Sequence, residues 1–151
     1  MSLTLAVMDP SVAGARRGDA LAWADLYERF NPTLERYLEV VNPRVLEAMD
    51  EVWARAARSL ALQPEGVAPL IWLLQTARDG MVICPDPDDT EDPAISAMRA
   101  LAPLEMDVVA LRVVAGLDER ETAYVIGRPI ERVRLAGHEG LAQLMREGSA
   151  A

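Results

Sequence analysis

Few residues of this chain are equipped for covalent chemistry. One cysteine, Cys84, and one histidine, His138, are all that 151 residues supply of those two types. That excludes an internal disulfide framework and leaves no His/Cys cluster to hold zinc. A lone cysteine with a histidine far along the chain is a poor nucleophile–base pair. No glycine loop cradles a phosphate, and no paired-carboxylate motif occurs. The sequence therefore predicts no catalytic residue, no metal, no cofactor and no enzyme. The remaining candidates are arginines, since the chain has no lysine, and arginine is a side chain used to meet nucleic acid. Charge opposes that reading. The net charge is −9, whereas duplex-binding domains usually present a basic surface. Residues 1–84 carry 8 Arg against 11 acids, 85–100 carry 1 against 5, and 101–151 carry 6 against 8, so no segment is net basic.

The elements that would position such side chains lie between Leu101 and Met145. Leu104, Val108, Leu111 and Val114 recur at helical spacing, and Gly116 stops that helix. Asp118 and Glu121 have the spacing of a capping box for the next helix. Gly127 supplies a turn, and Pro129 suits the first position of a last helix. On that helix Ile130, Val133, Gly137, Leu141 and Leu144 share one face and are expected to look inward. At 100° per residue, Arg132, Leu135 and Glu139 form the centre of the outward ridge, with Arg134 and His138 toward its flank. A short helix, a glycine turn and a longer helix make a helix-turn-helix, which can place one helix in a DNA major groove.

With 51% hydrophobic residues the whole chain can bury a real core. No 18-residue apolar run exists to span a membrane. The start, MSLTLAVMDP, lacks the basic n-region of a signal peptide, so a cytoplasmic location is expected. A short helical piece falls near Val12–Arg17. Gly18-Asp19 opens a helix through Phe30 with Leu21, Ala22, Leu26 and Tyr27 as its apolar stripe. Asn31-Pro32 and Asn42-Pro43 each read as a fresh helix start. The third helix, to Leu62, turns Val45, Met49, Val52, Ala56 and Leu60 inward and Glu47, Asp50, Glu51, Arg55 and Arg58 outward. After a loop at 63–66, Val67, Leu70, Ile71 and Leu74 mark a fourth helix ending near Asp79-Gly80, with Trp72 off its stripe. Residues 84–93, CPDPDDTEDP, hold three Pro and five acids and read as a linker. The fold class is all-α: a four-helix N-terminal domain (10–83), an acidic linker (84–93) and a helix-turn-helix domain (94–147). The linker is expected to be extended, leaving the two domains to move independently.

Over nearly its whole length the chain resembles a bacterial extracytoplasmic-function sigma factor of the two-domain kind. The residues that carry the likeness are Gly116-Leu117, Glu121-Thr122-Ala123, Gly127, Val133 and His138-Glu139-Gly140-Leu141, in the domain that in the family reads the −35 promoter element. GDALAWADLYERFNPTLERYL resembles the family's opening helices. EAMDEVWARAARSL, Glu47–Leu60, is similar to the segment that grips RNA polymerase, and Trp72-Leu73 with Ala77-Arg78 to the helix facing the −10 element. The resemblance implies that Glu47, Asp50, Glu51, Trp53 and Arg55 contact core RNA polymerase. It implies that Trp72, Arg78, Arg128, Arg132, Arg134 and His138 contact promoter DNA.

The chain departs from the family pattern on the DNA side. Arg132, Arg134, Leu135 and Ala136 stand where the family places Thr, Lys or Arg, Ser and Arg, and Glu139 replaces a further Arg. Asp79 follows Arg78 where basic residues usually continue. Met49-Asp50 replaces an apolar residue and Gln. The implied function is promoter-specific initiation with core RNA polymerase, DNA binding by the free chain being weak, and an anti-sigma or other regulatory protein as a further partner. The alternative is a degenerate sigma-like protein that regulates transcription through protein contacts alone.

Overall fold

The computed structural model describes residues 10–60, 67–81 and 85–150, and these are all-α. The helices are α1 (Pro10–Arg16), α2 (Ala20–Val41), α3 (Val45–Ser59), α4 (Pro69–Met81), α5 (Pro93–Arg99), α6 (Pro103–Val109), α7 (Glu119–Ile126) and α8 (Ile130–Ala150). Ala110–Val114 continues α6 as one π turn. Cys84 lies outside the described residues.

Asp19 starts α2 by accepting the Leu21 N–H at 3.0 Å. The break expected at Asn31-Pro32 does not occur, and α2 continues through Pro32 to Val41. An interior proline costs about 3 kcal/mol by deleting a backbone donor and crowding the preceding turn. Burial of Leu26, Leu34, Tyr37 and Leu38 on either side offsets it. Asn31 does not cap; its Oδ1 accepts from Trp53 Nε1 at 2.9 Å. Asn42 ends α2 instead, donating its N–H to Leu38 O and accepting the Arg44 N–H on Oδ1 at 2.8 Å. The third helix accordingly begins at Val45, with Ala48, Met49, Val52 and Ala56 inward. Of the expected α2 stripe, Leu26 is buried, Leu21 faces solvent, and Tyr27 is half-exposed with its ring beside Trp53 of α3.

In the C-terminal half, Asp118 Oδ1 accepts the Glu121 N–H at 2.7 Å and Glu121 Oε1 accepts the Asp118 N–H at 3.0 Å, completing the capping box. Gly127 makes the turn at φ +74°. Asp118→Ala should cost about 1 kcal/mol, the usual worth of such a cap, read as a lowered midpoint with unchanged slope in urea titration. The expected inward stripe of α8 needs one correction. Leu141 is 43% exposed, and Gly140 takes the buried position. A Cβ on Gly140 would lie 2.9 Å from Val109 Cγ2, so α8 approaches α6 more closely than any side chain there permits.

The two halves are not independent bodies in this structure. Leu34, Tyr37, Leu38 and Val41 of α2 belong to one buried cluster with Leu101, Met106, Val108 and Leu111. α2 touches α5 and the π turn, and α4 touches α7. The acidic segment is turned rather than extended. Asp86 accepts backbone N–H bonds from Asp89 on its carbonyl and from Asp88 on Oδ1. Arg99 holds the segment by donating Nη1 to Asp89 O at 3.0 Å. The same guanidinium donates Nε to Val40 O at 3.1 Å and Nη2 to Glu39 O at 2.7 Å, in the last turn of α2. Five like charges predict an extended chain only when nothing cationic sits beneath them, and here Arg99 does.

Candidate functional site

On α3 the outward face divides into free and engaged groups. Leu46 is 74% exposed beside exposed Glu47 and Asp50. Among the described residues Glu47 meets Arg44 at 3.9 Å and no ion pair holds Asp50. Glu51 is engaged: Arg55 Nε donates to its Oε2 at 3.1 Å and Arg58 Nη2 at 3.2 Å. Those hydrogen bonds, Arg55 first, hold the Glu51 carboxyl below its usual range. Arg55 also donates to Asp79 O at 2.7 Å, where the end of α4 kinks through Gly80 at φ +138°. Trp53 is part-buried, its ring 5.3 Å from that of Tyr27. Of the five residues implied on this face, Glu47 and Asp50 are thus available as charges, while Glu51, Trp53 and Arg55 hold the face in shape.

The residues implied for DNA are distributed differently from the expectation. Trp72 is 7% exposed and packs with Val12, Leu26, Ala56 and Leu60, so its ring is not presented to a base. Arg78 donates Nε to Asp107 Oδ2 at 2.6 Å, across to α6. Arg134 donates Nε to Glu119 Oε1 at 3.2 Å, and Glu119 also meets Arg112 at 3.5 Å. Arg128, Arg132 and His138 are exposed on and just before α8, and among the described residues no ion pair holds them. Arg132, Leu135 and Glu139 do form a common ridge, with a groove of about 150 Å³ between them and Leu104 and Glu105 of α6. Leu135 is 49% exposed there. A second groove, about 220 Å³, runs along the flank past Val113, Arg134, His138 and Leu141. This face of α8 therefore carries two arginines and one histidine that no ion pair holds among the described residues, beside two carboxylates and an exposed leucine.

Sequence reasoning passes over Asp107, Tyr37 and Arg99. Asp107 is 2% exposed. Its Oδ1 accepts from Tyr37 Oη at 2.8 Å while Oδ2 takes Arg78. Burial, and then the charge of Asp107, push the Tyr37 phenol well above its usual range, so it remains a donor. The available signal is one carboxylate set inside the apolar run Met106–Leu111. Among the described residues no group of His, Cys, Asp or Glu is disposed to hold a metal ion, and no helix is long and apolar enough to cross a membrane.

No protein-family model and no curated protein matches the chain. Among solved structures, CnrH, in complex with the cytosolic domain of CnrY, superposes with a TM-score of 0.78 at 18% identity. The match covers 93% of this chain and 96% of that one. CnrH is an extracytoplasmic-function sigma factor. This chain has its fold. An RsbN–BldN complex also matches, at 27% identity and a TM-score of 0.43, covering 89% of this chain and 97% of the other. At 93% coverage the match to CnrH takes in both halves of the present chain.

Proposed function

We propose that this chain is a non-enzymatic sigma factor-like transcription regulator that binds core RNA polymerase and directs promoter-specific initiation. In this reading residues 10–83 are the polymerase-binding and −10-facing unit, 84–93 the connection, and 94–147 the −35-facing unit. The observation that carries it is the fold shared with CnrH over nearly the full length of both chains. The face of α3 is consistent with it, because Leu46, Glu47 and Asp50 stand clear of the fold. Run-off transcription with core polymerase and genomic promoter fragments is the direct test, and initiation at discrete start sites is the expected result. Reversing Glu47 and Asp50 to arginine should weaken core binding about tenfold with little change in stability, since exposed charges steer association and contribute little to folding. Unchanged affinity in a titration would remove α3 from the interface.

A second reading has its own observation. Leu135 and Glu139 occupy the ridge that would enter the major groove, and Arg134 is already neutralised by Glu119. A chain built this way can act as a sigma-like protein through protein contacts, without promoter binding. CnrH is seen with the cytosolic domain of a protein partner, and a regulatory protein partner is proposed here by analogy. Copurification with polymerase or a regulator, without protection of promoter DNA, would favour this second reading.

A further inference from the structure

We propose that Asp107 is a latch, closing the two halves on each other and withholding Arg78 from anionic partners. The withholding of Arg78 rests on the nucleic-acid reading above; the closing of the halves does not.

Asp107 belongs to α6, yet both of its donors come from the other half. Tyr37 on α2 takes one oxygen at 2.8 Å and Arg78 on α4 the other at 2.6 Å. To a guanidinium, a carboxylate offers what a phosphate offers, oxygens with negative charge at hydrogen-bond distance. Asp107 thus stands in for the phosphate that Arg78 would otherwise meet. The Arg78 side chain keeps 30% of its surface exposed, so a phosphate can approach it and compete with Asp107.

The apolar seam supplies much of the attraction between the halves, but apolar contact is non-directional. Asp107 adds direction and a penalty for separation. A buried carboxylate that loses its partners is costly until water reaches it. Opening must therefore rehydrate Asp107 and release Arg78 in one event. An anion that takes Arg78 favours the open form, and opening raises affinity for the anion by the same factor.

The test uses the full chain. Asp107→Asn keeps the size of the side chain and an oxygen for Tyr37, but offers Arg78 no charge. The expected results are a larger radius of gyration in X-ray scattering and cleavage within 85–92 at least tenfold faster under limiting protease. Affinity for a single-stranded DNA 20-mer, read by fluorescence anisotropy, should rise about tenfold, and adding Arg78→Gln should abolish the gain. Tyr37→Phe removes one of the two bonds and leaves the ion pair, so it should give the same changes at smaller size. It serves as the reporter should Asp107→Asn not fold. Variants as compact and as slowly cut as the parent would overturn the latch. Opening with no DNA gain, or with a gain that survives Arg78→Gln, would overturn the withholding of Arg78. Neither result bears on core polymerase binding, which is read separately through Glu47 and Asp50.

Discussion

Arg99→Ala is expected to lower the melting temperature by about 10 °C and to expose the acidic segment to protease. Arg99 is 8% exposed, and its partners are backbone carbonyls: Val40 and Glu39 at the end of α2, Asp89 at 3.0 Å in the acidic segment, and Asp86 at the longer distance of 3.5 Å. The last carbonyls of a helix carry partial negative charge and lack partners within the helix, so a cation set against them is stabilising. Alanine would remove these donors together and leave the Val40 carbonyl covered and unpaired. Bonds from a charged donor contribute about 1.5–3 kcal/mol each. Because they are not additive, a total near 3 kcal/mol is the working figure. For a chain of this size each kcal/mol moves the transition by roughly 2–4 °C. Arg99→Lys should recover only part of the loss, since one ammonium group cannot reproduce the reach of the guanidinium fork. Calorimetry and timed proteolysis read the two effects. A melting temperature within 2 °C of the parent would show that water replaces Arg99 without penalty.

Gly140→Leu should destabilise by about 3 kcal/mol, and Gly148→Ala should do the reverse by up to about 1 kcal/mol. Both glycines lie in α8, where glycine is worse than alanine by about 1 kcal/mol on propensity alone. The surroundings decide the sign. At Gly148 a Cβ meets nothing within 4 Å, so the propensity gain stands. At Gly140 the Cβ itself would press on Val109 and on Glu105 Cβ at 3.4 Å, and a leucine adds three more carbons in the same direction. Overpacking of this kind costs about 1–3 kcal/mol or more and forces α8 away from α6. Paired urea titrations of the two variants check both signs at once. Equal shifts would show that the crossing of α6 and α8 is loose.

The local elements are legible in the sequence because local chemistry specifies them. Asp118, Glu121, Gly127 and the stripe Met49–Val52–Ala56 act within a turn or two of themselves. Pro32 misleads because its penalty is local while the burial of Leu34 and Tyr37 that outweighs it is not. Leu141 misleads for a similar reason: a leucine looks like the better core residue until α6 is found lying against Gly140. The closing of the halves is the least legible feature. Asp107 and Arg99 belong to the residue types least often buried, and only their partners on α2 and α4 make burial tolerable. The candidate site suffers most from this, since Arg78 and Trp72 read as outward-facing until α6 and α1 are in place. Arg132, Leu135 and Glu139 are exposed together on α8, a placement that a single helix sets.

The shared core also constrains how the protein is made. Leu34, Tyr37 and Leu38 emerge from the ribosome early, but Met106, Val108 and Leu111, which complete their cluster, follow only after about 70 more residues, as the spacing of Tyr37 and Asp107 shows. At a synthesis rate of about 5–20 residues per second, the apolar side of α2 waits several seconds for its cover. Tyr37 lacks Asp107 throughout that interval and Arg78 lacks it for the last 29 residues, so the nascent N-terminal half is the form in which Arg78 is not held by Asp107. The shared cluster leads us to expect the finished chain to melt as one cooperative unit, although its sequence divides so readily into two.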